Sequence, residues 1–234
     1  MNIFLLTGQS NMAGRGPLDA VEPLRHPNIL VLGEEGWAEA SEPLHSDRPT
    51  AGIGLAMSFA QRLLERSPQA TIGLVPCAEG GSPLSKWMPG QDLSERALAL
   101  ARRAMADGEL RGILWHQGES DSKTKSDDTS YAPRLTKMIA HFREQLTATD
   151  VPFIAGEIGP FLREVESMTY FAVVNHALRT TTENVALYAC SSARDLADIG
   201  DHIHFDSPAQ REFGYRYAEE YLQLIQEHHL PPLN

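Results

Sequence analysis

Two cysteines in 234 residues are too few for a disulfide framework, and Cys77 and Cys190 lack the spacing of a CxxC pair. Each ends a run of strand character, IGLVPC and VALYAC, and is expected to serve as a small buried apolar residue. No apolar run nears the ~20 residues that span a bilayer. No basic segment with a long apolar stretch behind it opens the chain, so as it stands it reads as cytoplasmic. Secretion is expected only if a leader precedes it. Basic residues are also scarce: 20 Lys and Arg against 31 Asp and Glu give a net charge of −11. That balance argues against nucleic-acid and anionic-membrane partners and favours neutral substrates. Nucleotide-binding glycine patterns (GxGxxG, GxxxxGK[ST]) are missing. So is the GxSxG elbow, because Met12 stands where its second glycine falls.

What remains is ordinary for a globular chain, with 42% apolar and 22% charged residues. Internal repeats, low-complexity tracts and interdomain linkers are absent, so one domain over 1–234 is expected. Short apolar runs at 3–6, 70–77, 112–116, 152–155 and 185–189 predict five strands. Helical spacing predicts helices over 54–66, 92–105, 131–147, 170–182 and 208–228, the last with proline in its first turn. Residues 17–50 form a long proline-punctuated excursion with one short strand-like run at 28–32, and 123–129 reads as a polar loop. Strands alternating with helices predict an α/β fold, a parallel sheet covered on both faces.

The polar residues gather at strand ends. The first strand runs into Gly8-Gln9-Ser10-Asn11, the second into Gly80-Gly81-Ser82, and the third into His116-Gln117-Gly118-Glu119. After the fifth come Asp201-His202-Ile203-His204. In a right-handed parallel sheet these loops emerge at one edge, the place for a ligand. Serine before a helix is also a favoured N-cap, and one turn can do both. Together the loops supply the set that acyl transfer needs. A serine hydroxyl is a weak nucleophile until a base such as histidine takes its proton, and a carboxylate on the far ring nitrogen fixes the tautomer. Asp201 lies three residues before His204, a spacing that folds back onto the ring. The backbone N–H of Ser10, an N–H of the Gly80-Gly81 turn and the Gln117 amide are candidate oxyanion donors. Two other classes fit parts of this set. His202 and His204, with Asp198, Asp201 and Asp206, can form a hydrolytic metal site, and a non-catalytic carbohydrate-binding protein can share the scaffold. His26, His45, His228 and His229 read as surface or loop histidines. Trp37 and Trp87 are candidates for stacking on a sugar, whereas Trp115 reads as core.

Taken in order, GQSNM, GGS, WHQGESD and DHIHFD resemble the SGNH hydrolase superfamily. The branch they resemble holds carbohydrate esterase family 6 and the sialate O-acetylesterase-like proteins. The resemblance spans residues 8–206 and implies a flavodoxin-like α/β/α sandwich on a five-stranded parallel sheet. It also implies a serine esterase that needs no metal or other cofactor and removes acetyl groups from sugars. Acetylxylan or a related saccharide is the expected substrate, with sialate O-acetyl esters or general short-chain esters as alternatives. Carried over, Ser10 is the nucleophile, His204 the base and Asp201 the orienting acid. Ser10, Gly81 and Gln117 match the oxyanion positions, with Gln117 where other branches use Asn. Ser82 replaces the usual threonine. Gln9, Asn11, Gly80, Glu119 and Asp121 are expected to support the site, and Glu119 is the second candidate for the acid. Nothing in the sequence sets the oligomeric state.

Overall fold

A computed structural model describes the backbone of residues 1–234 and every side chain except those of 125–129. Its centre is β1 (Asn2–Gly8), which is buried along its whole length. The strand reads with period two: Ile3 and Leu5 face one core, Phe4 and Leu6 the other. A strand buried on both sides belongs to a parallel sheet with helices on both faces.

The remaining strands are β2 (Ile29–Gly33), β3 (Gly36–Glu39), β4 (Ile72–Pro76), β5 (Glu109–His116), β6 (Phe153–Gly156) and β7 (Tyr188–Ser191). Their order is β3-β2-β4-β1-β5-β6-β7, parallel throughout except for β3, which runs antiparallel to β2. The sheet is thus α/β and mostly parallel as expected, but it has seven strands where five were predicted. The extra two come from the excursion at 17–50, where β2 coincides with the short strand-like run read at 28–32 and only β3 is new. There β3 is an exposed edge strand, GWAE, and carries no apolar run. The last strand also starts three residues late, because a 3-10 turn (Thr181–Glu183) precedes it.

On one face pack α3 (Asp92–Ala104), α4 (Lys125–Gln145) and α5 (Phe171–Thr180), around Trp87, Trp115, Tyr131 and Phe142. On the other lie α2 (Ala56–Arg66) and α6 (Ser207–Glu227), around Phe59, Phe213, Tyr217 and Tyr221. Phe4 meets Phe59 and Tyr221 edge-on at centroid distances of 5.0 and 5.2 Å. Such pairs contribute roughly 0.5–1.5 kcal/mol each beyond area burial. The predicted polar loop at 123–129 is mostly helix, since α4 begins at Lys125. Among the described residues no helix is long and apolar enough to cross a membrane.

For the site, what matters is that β4 and β5 flank β1 directly. Their C-terminal loops are tied to the end of β1. Gly8 carbonyl accepts the Glu79 N–H at 3.0 Å, and Gln9 N–H donates to the His116 carbonyl at 2.8 Å.

Candidate active site

Ser10 opens a single helical turn, α1 (Ser10–Ala13), immediately beyond β1. Gln9 holds the cap position and no side chain caps the turn, so the capping role considered for Ser10 is not taken up. Its hydroxyl instead meets His204, with Oγ to Nε2 at 3.0 Å. Asp201 Oδ2 lies 2.6 Å from the other ring nitrogen, Nδ1. The second Asp201 oxygen, Oδ1, accepts the N–H groups of both Ile203 and His204 at 2.8 Å. One carboxylate thereby builds the turn and orients the ring. Partial burial pushes the Asp201 carboxyl up, but these bonds from His204 and Ile203 pull it down further, to below its ordinary range. Nε2 therefore faces the Ser10 hydroxyl while Asp201 faces the opposite ring nitrogen, the geometry in which an imidazole can accept a proton from a serine.

Of the two carboxylates considered for this role, Asp201 touches His204 and Glu119 does not. Glu119 is buried beneath Asn11, whose Nδ2 donates to Oε1 at 2.5 Å. His116 Nε2 stands 3.6 Å from the same oxygen, longer than a hydrogen bond. Burial pushes the Glu119 carboxyl up; His116 and Asn11 more than offset this and hold it below its ordinary value. Asn11 also donates to the Ile203 carbonyl at 3.0 Å and accepts the Phe205 N–H at 3.1 Å.

The oxyanion candidates divide. Among the described residues, no acceptor meets the N–H of Ser10 or of Gly81. Gly81 has φ +76°, and the space a Cβ would fill is open. Gly80 N–H, in contrast, is taken by Asp47 at 2.8 Å. Gln117 departs from expectation. It is fully buried, and its Nε2 faces Asp121 Oδ2 at 2.6 Å, Ser82 carbonyl at 3.2 Å and Gln9 Oε1 at 3.2 Å. Two amide hydrogens shared among three acceptors leave none for a substrate oxygen. Gln117 and Asp121 brace the loops; Asp121 also accepts the Leu84 N–H at 2.8 Å and pairs with Arg134 at 3.1 Å.

Other expectations change with position. Trp87 is buried, donates to Ser82 Oγ at 3.0 Å and packs edge-on against Trp115, so it offers no face to a sugar. Trp37 lies over Gly73 on β4 and donates to Asp107 at 3.0 Å. His45 is buried, not a surface residue, and burial pushes it down to about 4. Cys77 is buried as expected, which raises its thiol to about 12. His202 turns to Asp198 at 3.2 Å while His204 turns to Asp201, so the two imidazoles belong to separate pairs. Among the described residues no three His, Cys, Asp or Glu side chains converge as metal ligands. Arg15 and Asp47, which reach the Gly80 turn, carry no sequence signal, because Asp47 lies in the aperiodic excursion.

A cavity of about 920 Å³ is lined by α2, α6 and 191–195 and contains none of these residues. The Ser10–His204–Asp201 cluster sits instead at the sheet edge above β1.

The fold and the chain have close counterparts. A probable carbohydrate esterase of Arabidopsis thaliana is 33% identical over 244 residues, covering 94% of this chain and 90% of its own. The X-ray structure of the Arabidopsis protein superposes with a TM-score of 0.87 over 95% of this chain and 98% of the other, at 32% identity. NanS shares the fold with a TM-score of 0.77 and 20% identity, covering 96% and 97% of the two chains. A carbohydrate acetylesterase from Xanthomonas citri does so with a TM-score of 0.71 and 18% identity, over 96% of this chain and 57% of that one. The model of the carbohydrate esterase, sialic acid-specific acetylesterase family matches residues 1–223. The chain belongs to this family, whose chemistry is O-acetyl ester hydrolysis on carbohydrates.

Proposed function

We propose that the protein is a serine esterase that deacetylates a saccharide through an acetyl-enzyme at Ser10. The observation that carries this reading is the continuous chain Ser10–His204–Asp201, with contacts of 3.0 and 2.6 Å across residues 194 apart in sequence. As Ser10 Oγ attacks the acetyl carbonyl, His204 Nε2 takes its proton and Asp201 stabilises the imidazolium. The carbonyl oxygen turns into an oxyanion, met by the free N–H groups of Ser10 and Gly81; losing one such donor typically costs roughly 3 kcal/mol of barrier. Collapse breaks the bond to the sugar oxygen, which leaves with the proton from His204. Water then enters, gives its proton to the same nitrogen, and releases acetate with Ser10 restored.

Ser10→Ala is expected to keep the circular dichroism spectrum and lose turnover of a simple aryl acetate. Unchanged activity in that variant overturns the proposal. Loss of activity with a chelator, together with indifference at Ser10, points to a metal enzyme instead. For the acyl donor, the excess negative charge favours a neutral acetylated saccharide such as acetylxylan, whereas the family's description supports O-acetylated sialic acid as the second reading. Acetate release from acetylated xylan oligomers, O-acetylated sialic acid and simple esters ranks them.

A further inference from the structure

The turn that presents the Gly81 N–H is held by two residues outside all four motifs. Asp47 Oδ2 accepts the Gly80 N–H at 2.8 Å, and Arg15 grips both oxygens of that carboxylate, Nη2 to Oδ2 at 2.6 Å and Nη1 to Oδ1 at 3.3 Å. Arg15 is anchored in turn on the Gly14 carbonyl at 2.7 Å. It sits two residues beyond α1, the helical turn that Ser10 opens. Both side chains are buried, 7% and 3% exposed. A Cβ on Gly80 would stand 2.6 Å from Arg15 Nη2 and 2.8 Å from Asp47 Oδ2, so the pair and the glycine fit without slack. His45 beside them is uncharged at neutral pH, because burial holds it at about 4. Among the described residues, the hydrogen bonds that reach the Asp47 carboxylate come from Arg15 and the Gly80 N–H.

Burying an ion pair is a poor route to stability compared with an apolar pair of similar volume, so its retention asks for another use. Fixing Gly80 N–H inward leaves the next N–H, that of Gly81, to point elsewhere. Ser120 Oγ holds the Gly81 carbonyl at 3.0 Å and Ser82 Oγ reaches the Gly8 carbonyl at 3.4 Å, which sets the turn against the strand end before Ser10. We propose that Asp47, locked by Arg15, is a positioning residue that aims the Gly81 N–H at the oxyanion formed at Ser10. This rests on the Ser10 esterase reading. It adds that the excursion at 17–50 supplies part of the transition-state machinery.

Aryl acetate kinetics and the rate of Ser10 labelling by a fluorophosphonate test it in the full chain. Asp47→Ala is expected to lower kcat by about 100-fold, with KM within about 2-fold and labelling slowed in step. Asp47→Asn keeps an acceptor oxygen for Gly80 and is expected to lose only about 10-fold. Glu42→Gln serves as the control. It breaks a second buried pair in the same excursion, with Arg211, where Glu42 Oε1 accepts from Nη1 at 2.7 Å. That variant should lower the Tm and leave kcat unchanged. A wild-type kcat in Asp47→Ala, or a change in KM alone, overturns the inference. Should Asp47→Ala not fold, a kcat in Asp47→Asn within 2-fold of the wild type does the same. Absence of Ser10-dependent hydrolysis in the wild type removes the esterase reading and this inference together, whereas an active wild type with an indifferent Asp47 removes this inference only.

Discussion

Asn11 Nδ2 donates to Glu119 Oε1 at 2.5 Å, so the residue after Ser10 is seated on a buried carboxylate from the loop beyond β5. The same side chain bonds Ile203 and Phe205, the two neighbours of His204. The turn of Ser10 and the segment of His204 are thus tied together by one amide.

Asn11→Ala removes all three bonds and strips a buried carboxylate of its donor. A loss of about 3 kcal/mol is expected, which for a chain of this size lowers the Tm by roughly 6–12 °C. Activity should fall by about 100-fold even in the folded fraction, because His204 loses its fixed distance to Ser10. A thermal melt paired with kcat at 25 °C separates the two effects.

Asp201→Asn is the sharper test of the triad. Its Oδ1 can still accept from Ile203 and His204, so the turn survives. An NH2 then faces Nδ1, which must become the acceptor, and the proton moves to Nε2, where the base is needed. A fall in kcat of roughly 10⁴-fold with little change in Tm is expected. A fall below 10-fold assigns the orienting role elsewhere.

Gln117→Met distinguishes bracing from catalysis. If the inward-facing amide acts only by holding Asp121 and Ser82 in place, the variant loses stability and folded enzyme keeps kcat within about 5-fold. Removal of a true oxyanion donor would cost 10²–10³ instead.

These contrasts mark where the sequence was informative. That Ser10, His204 and Asp201 come together was legible because the residue types acyl transfer needs are few, and because strand ends of a parallel sheet converge. β1, β4 and β5 were legible as dense apolar runs. β3 was not: GWAE is an exposed edge strand, and only its pairing with β2 defines it. The inward turn of the Gln117 amide follows from where Asp121 sits, and Asp47 reaches Gly80 across 33 residues of chain. The Asp47 contact has no period and no motif to announce it. Trp87 shows the converse, a residue whose position after the glycine turn suggested exposure until the partner Trp115 filled its face.

Acid stability should carry the signature of two buried groups. For Glu119 the native carboxyl lies below its ordinary value of about 4.3. The unfolded chain then takes up the proton first, so its contribution is complete above that value and drains as pH falls toward the depressed native one. Glu119→Gln should flatten this limb in urea titrations between neutral pH and acid.

His45 acts at higher pH. Its imidazole is lowered from 6.5 to about 4 by burial, against the pull of Asp47 and with Arg15 and Arg96 adding to the shift. Below 6.5 the unfolded chain binds a proton that the folded chain refuses, so stability falls as pH drops and levels out near 4. The loss should reach about 3 kcal/mol. It should be absent from the difference between wild type and His45→Gln if His45 stays protonated when folded.

The separation between Ser10 and His204 has a consequence for how activity arises during synthesis. Closing a loop of 194 residues is the last kind of contact a chain can make, since both partners must have left the ribosome and the intervening sheet must hold them in register. No nascent chain that stops before β7 contains His204, however well its N-terminal strands have paired. Hydrolysis of an acetyl ester would therefore report completed folding, and its onset in a timed translation would date the docking of the final segment.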